Sequence, residues 1–252
     1  DIMDDAPTSM PRGHGSHVAG TIGATGNNAT GVVGVNWNVS LMGLKIFPNG
    51  LTTDVIKAVN YVRAMRQTFG FEITAINASF GNTTFDQTFS DSIEAAIDAG
   101  VVFVAAAGNG GADQIGDDND GTVKAYPASY DLDGIIAVAA TNDTDNRPNF
   151  SNYGLTSVDL GAPGVNILST VPTSVSASGY VAWPGTSMAA PHVAGAVALL
   201  RGLKPSLTVA QTKAAILNTV DAVSDLSGKT VTGGRLNLAA AVTEVAGNVV
   251  AS

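Results

Sequence analysis

The run from Val101 to Ala107 (VVFVAAA) is apolar without a break. Such a run marks a strand covered on both faces, which in practice means a parallel sheet between layers of helix. Ile135 to Ala140 repeats the signal, and Ile73 to Ala78 reads as a further buried strand. Val39 to Ile46 is apolar and β-compatible as well. Helical periodicity fills the intervals. Thr53 to Thr68 places Val55, Ile56, Val59 and Val62 on one face, and Asp86 to Ala99 does the same with Phe89, Ile93, Ala96 and Ile97. Further helices are expected over Ser187 to Leu203, Thr208 to Val220 after the start signal of Pro205, and Leu236 to Val245. The alternation predicts an α/β fold, a three-layer α/β/α sandwich around a mainly parallel sheet. No internal boundary is visible, so residues 1–252 read as a single domain.

Composition narrows the function classes. A net charge of −9 argues against a nucleic-acid partner, because phosphates demand Lys and Arg. With no Cys, disulfides, thiolate metal sites and a Cys nucleophile are excluded. No apolar run is long enough for a membrane span. The first residue is Asp1, which suggests a mature or excised segment.

Loops at the carboxyl ends of parallel strands build sites. Gly/Asn/Asp-rich stretches occur at Gly26–Gly31, Gly108–Gly121 and Thr141–Gly154. The segment Gly185-Thr-Ser-Met-Ala-Ala-Pro-His-Val-Ala-Gly195 opens on a turn and enters a helix of small residues. Ser187 there is either a plain cap residue or a nucleophile at a helix N-terminus, where free N–H groups and the dipole favour an oxyanion. There are three His residues: His14, His17 and His192. His14 lies between glycines and is accessible, whereas His17 heads an apolar run and reads as packed. His192 shares a helix with Ser187 but points well away from it. His14 is therefore the candidate base, and a metal pair of His14 with His17 lacks a third ligand. Asn109 follows a buried strand and Gly108; it is either a turn residue or an amide donor to a developing oxyanion. The tetrapeptide His-Val-Ala-Gly occurs at 17–20 and 192–195, consistent with two central helices that pack closely.

Together these residues resemble the subtilisin-like serine proteases. His14-Gly-Ser-His-Val-Ala-Gly20 is similar to the family's histidine motif, Gly185 to Gly195 to its serine motif, and Ala106-Ala-Gly-Asn109 to its oxyanion segment. Shorter matches are Ala78-Ser-Phe-Gly81, Tyr126-Pro-Ala128, Phe150-Ser-Asn-Tyr-Gly154, Ala162-Pro-Gly164 and Gly234-Arg-Leu-Asn237.

The resemblance implies a subtilisin-like fold and a serine endopeptidase, with Ser187 as nucleophile, His14 as general base and Asn109 as oxyanion donor. It implies an S1 pocket between Ser79-Phe80-Gly81 and Ala106-Ala107-Gly108, with Ala125 near its base. Gly50, Leu51 and Thr52 would be an edge strand that pairs with extended substrate. No cofactor is needed for chemistry, but a structural Ca²⁺ is implied near Asn28, Thr30 and Val32. Polypeptide substrates, a propeptide inhibitor, a monomer and a secreted location follow from the same likeness.

One element is missing from the pattern. The family's triad carboxylate lies on a strand upstream of the histidine, and only residues 1–13 precede His14. Asp1, Asp4 and Asp5 lack the strand and the Thr-Gly or Ser-Gly that should accompany that acid. The expectation is a segment without its first strand; a dyad or a peptide-binding pseudoprotease is the alternative. Asp117-Asp-Asn-Asp120 reads as a solvated acidic loop.

Overall fold

The computed structural model describes residues 13–46 and 50–250. Six strands form the main sheet in the order β1 (Ala75–Ala78), β2 (Val102–Ala106), β3 (Ile135–Thr141), β4 (Leu160–Pro163), β8 (Gly234–Arg235), β7 (Asp221–Ala222). All neighbours are parallel except β7 and β8. A separate antiparallel pair joins β5 (Ile167–Thr170) to β6 (Tyr180–Trp183). The helices are α1 (His14–Gly23), α2 (Thr52–Phe69), α3 (Gln87–Asp98), α4 (Thr186–Leu203), α5 (Val209–Leu217) and α6 (Leu238–Val250).

Strand alternation sorts the core into two clusters. Val102, Val104, Ala106, Ile136, Val138 and Ala140 face α4, α5 and α6. Phe103, Ala105, Ile135 and Ala137 face α2 and α3, meeting Val55, Val59, Phe89, Ile93 and Ala96. This is the expected three-layer arrangement. Burying a side chain such as Ile93 or Ile136, each 0% exposed, contributes about 1.5–3 kcal/mol. Small residues bring the central helices close: a Cβ at Gly195 of α4 would stand 3.2 Å from the Ile22 carbonyl of α1.

The segment Val39 to Ile46 departs from expectation. It forms no strand, because none of its residues pairs with another strand. Apolar content alone does not supply a ladder partner. Its residues instead line a cavity of about 940 Å³ beside β1, together with Gly15, Val18, Val59 and Ile76. β1 consequently has one strand neighbour among the described residues.

Candidate active site

Ser187 is the second residue of α4 and is half-buried. Gly185 precedes the helix at φ 145°, a conformation that excludes a Cβ without strain, and the chain turns there into α4. Gly185 O accepts from Met188 N (3.0 Å) and Ala189 N (3.3 Å). Ser187 N has no hydrogen-bond partner among the described residues.

Pro191 sits four residues after Ser187 and has no N–H, so the Ser187 carbonyl loses its normal helical donor. Ser79 replaces it: Ser79 Oγ donates to Ser187 O at 2.8 Å and accepts from Asn77 Nδ2 at 2.9 Å. The Ser187 hydroxyl donates in return to Ser79 O at 3.2 Å. It thus rests on the end of β1, and attack on a substrate requires a turn about its χ1.

His14 opens α1 and is 7% exposed. Helices α1 and α4 pack together. Ile22 O lies 3.2 Å from the Cβ position of Gly195, where the two helices meet. Burial first, and then the charge of His17, pushes the His14 imidazole down to about 4. It is therefore neutral at neutral pH. Its Nδ1 is buried without a partner among the described residues.

The other histidines have structural work. His17 is fully buried, stacks on Trp183 at 4.8 Å, and its Nε2 lies 2.9 Å from Ile167 O and 3.1 Å from Val181 O. His192 Nδ1 donates to Met188 O, 2.9 Å away on its own helix. Neither is presented to Ser187.

Asn109 is exposed at the end of β2. Its Oδ1 accepts from Thr186 N (2.9 Å) and Thr186 Oγ1 (3.0 Å). Its Nδ2 lies 3.8 Å from the Cβ position of Gly185. Ser79, Phe80 and Gly81 leave β1 beside Ala106, Ala107 and Gly108 leaving β2, since Ala78 pairs with Ala105. Ala125 Cβ lies 3.3 Å from the Cβ position of Gly108, at the floor between those segments. Tyr126–Pro127 is cis, and Tyr126 bridges to Asn82. Phe80 packs its ring on the α2/α3 side of the sheet, where it also lines the cavity beside β1.

One expectation is corrected in part. Thr52 is the first residue of α2, and Gly50 and Leu51 form no strand. Leu51 O accepts from Asp54 N (2.9 Å) and Val55 N (3.2 Å), so that carbonyl is committed to starting the helix. Asn28 Oδ1 accepts from Thr30 N at 3.1 Å, so the loop that carries Asn28, Thr30 and Val32 is held by a local turn. Asp1, Asp4 and Asp5 lie outside the described residues.

Sequence reasoning gave no role to Thr186, Asn77, Asn119 or Asn152. The Pro191 spacing could have shown that the Ser187 carbonyl needs an outside donor.

A serine at a helix N-terminus at the carboxyl edge of a parallel sheet, with an amide held beside it and a histidine opening the helix packed against it, is an arrangement a serine hydrolase can use. The subtilase family model matches residues 1–239. Subtilisin DY of Bacillus licheniformis is 38% identical over 213 residues, 84% of this chain and 72% of that protein. Thermitase of Thermoactinomyces vulgaris is 37% identical over 244 residues, 96% of this chain and 78% of that one. A solved protease structure from Pseudoalteromonas arctica superposes with a TM-score of 0.77 at 30% identity, covering 92% of this chain and 70% of that one. The chain belongs to the subtilase family and is a serine endopeptidase.

Proposed function

We propose that Ser187 attacks the scissile carbonyl, that His14 takes its proton and returns it to the leaving amine, and that Asn109 Nδ2 and Ser187 N hold the oxyanion. The observation that carries this reading is the fixed orientation of Asn109. Both Thr186 donors take its oxygen, which leaves the amide N–H₂ free beside the α4 N-terminus. Substrate P1 side chains enter between residues 79–81 and 106–108, where small, uncharged Ala125 and Gly108 favour apolar groups. The edge that pairs with substrate backbone is limited to Gly50 and the Leu51 N–H side.

His14 needs an acceptor at Nδ1 to hold its tautomer and stabilise the imidazolium. The reading takes that carboxylate from outside the described residues. The cavity beside β1 supports it, since an extended segment laid along that free edge would pass Gly15, next to His14. Family likeness alone supports a secreted location, an inhibitory propeptide and a monomeric state. Among the described residues no helix is long and apolar enough to cross a membrane.

Peptide hydrolysis tests the assignment. Ser187→Ala and His14→Ala are each expected to lose nearly all kcat with little change in folding, and retention of wild-type kcat in either would refute it.

A further inference from the structure

Two buried side-chain amides clamp the backbone behind Asn109. Asn152 is 3% exposed and Asn119 is 0% exposed. Asn152 Oδ1 accepts from Gly110 N (2.8 Å) and Asp117 N (3.0 Å). Its Nδ2 donates to Asn119 Oδ1 at 3.0 Å, and its backbone N donates to Gly108 O at 3.0 Å. Asn119 Nδ2 donates to Ala107 O at 2.9 Å. Gly108, at φ +112°, lies flat on this pair, and a Cβ there would stand 2.5 Å from Asn152 Nδ2.

Every one of these bonds to the 107–110 segment ends on the backbone flanking Asn109, and none touches its side chain. An apolar plug could fill the same space without fixing direction. Two side-chain amides that hold carbonyl 107 and N–H 110, with the Asn152 backbone N–H on carbonyl 108, fix both place and direction, and a buried amide in a connected network resists displacement. An oxyanion donor acts only within a few tenths of an ångström of its best distance, so this fixity bears on rate.

We propose that Asn119 and Asn152 are positioning residues that set where the Asn109 amide stands relative to Ser187, and through it kcat. The proposal rests on the reading of Asn109 as an oxyanion donor.

The test is a set of double-mutant cycles read on a peptide substrate. Asn152→Ala and Asn119→Ala are each made in the parent enzyme and in Asn109→Ala, with folding checked by circular dichroism. In the parent, kcat falls about tenfold or more and KM changes less. In Asn109→Ala the further fall is less than about twofold, because the residue through which the pair acts is gone. Equal losses in both backgrounds, or an unchanged kcat in the parent, overturn the proposal. If Asn109→Ala itself leaves kcat intact, the oxyanion reading fails and the proposal goes with it. If Asn109→Ala acts but the losses simply add, only the positioning role fails. Should Asn152→Ala not fold, Asn119→Ala decides, since it removes only the contacts to Ala107 and Asn152. If neither folds, the pair is purely structural and the proposal is overturned.

Discussion

Thr186 determines which way the Asn109 amide faces. A backbone N–H can only donate, so the atom 2.9 Å from Thr186 N must be the Asn109 oxygen. The N–H₂ is then forced to the opposite side, beside Gly185. The Thr186 hydroxyl adds a second donor at 3.0 Å and lies 3.2 Å from Gly108 N, from which it accepts.

Thr186→Ala keeps the backbone donor and loses the hydroxyl. The expected effect is a drop of about 2- to 10-fold in kcat, the worth of one neutral hydrogen bond. KM should hold within about twofold, and steady-state kinetics on a peptide substrate checks both.

Ser79→Ala strands the Ser187 carbonyl, because Pro191 supplies no donor in its place. A cost of about 1–3 kcal/mol is expected from the unpaired group. Urea unfolding measures it. Adding Pro191→Ala restores a helical N–H and should recover part of the loss, unless the carbonyl was never the cause.

Buried His14 makes stability fall with acid. The unfolded imidazole protonates near 6.5 and the folded one near 4. Between these values the unfolded chain binds more protons, so the contribution is complete above 6.5 and is lost as pH drops toward 4. The effect of His14 is on the order of 3 kcal/mol. His17 and His192 are lowered by burial too and act with the same sign. The lowered carboxyls of Asp120, Asp221 and Asp225 weigh in only below 3.8. Unfolding at pH 7 and pH 4.5 should show a smaller loss in His14→Gln than in the parent. A carboxylate brought to Nδ1 would move the His14 transition upward.

Asp159 ties two strands and a helix together. Its Oδ1 pairs with Lys213 at 2.9 Å, its Oδ2 accepts from Ala137 N at 2.8 Å, and its side chain is 11% exposed. Asp159→Ala leaves the Lys213 ammonium with only the Ile135 carbonyl and the Ala137 N–H without its acceptor, a cost of about 3 kcal/mol. Asp159→Asn, which keeps an acceptor for Ala137, should cost less; equal costs by urea unfolding would contradict that division.

The sheet was legible wherever burial was uniform. Val101–Ala107 and Ile135–Ala140 became β2 and β3 with ends shifted by a residue, and α3 and α4 fell where their periodicity and caps placed them. Val39–Ile46 misled, because an apolar run reports burial but not a hydrogen-bonding partner. The short strands β4, β7 and β8 and the β5/β6 pair were not foreseen, being too brief for a periodicity. At the site, residue types with fixed spacing were readable. The contacts that orient them were not, since Thr186 with Asn109 and Ser79 with Ser187 join positions far apart in the chain.

The rate at which a fluorophosphonate labels Ser187 bears most directly on the central claim, since it reports nucleophile, base and oxyanion donor without needing turnover. The account predicts labelling that vanishes in Ser187→Ala and slows by about 10²–10³ in Asn109→Ala, a figure taken from subtilisin itself. Labelling that persists in Ser187→Ala, or that proceeds at the parent rate in Asn109→Ala, would contradict it.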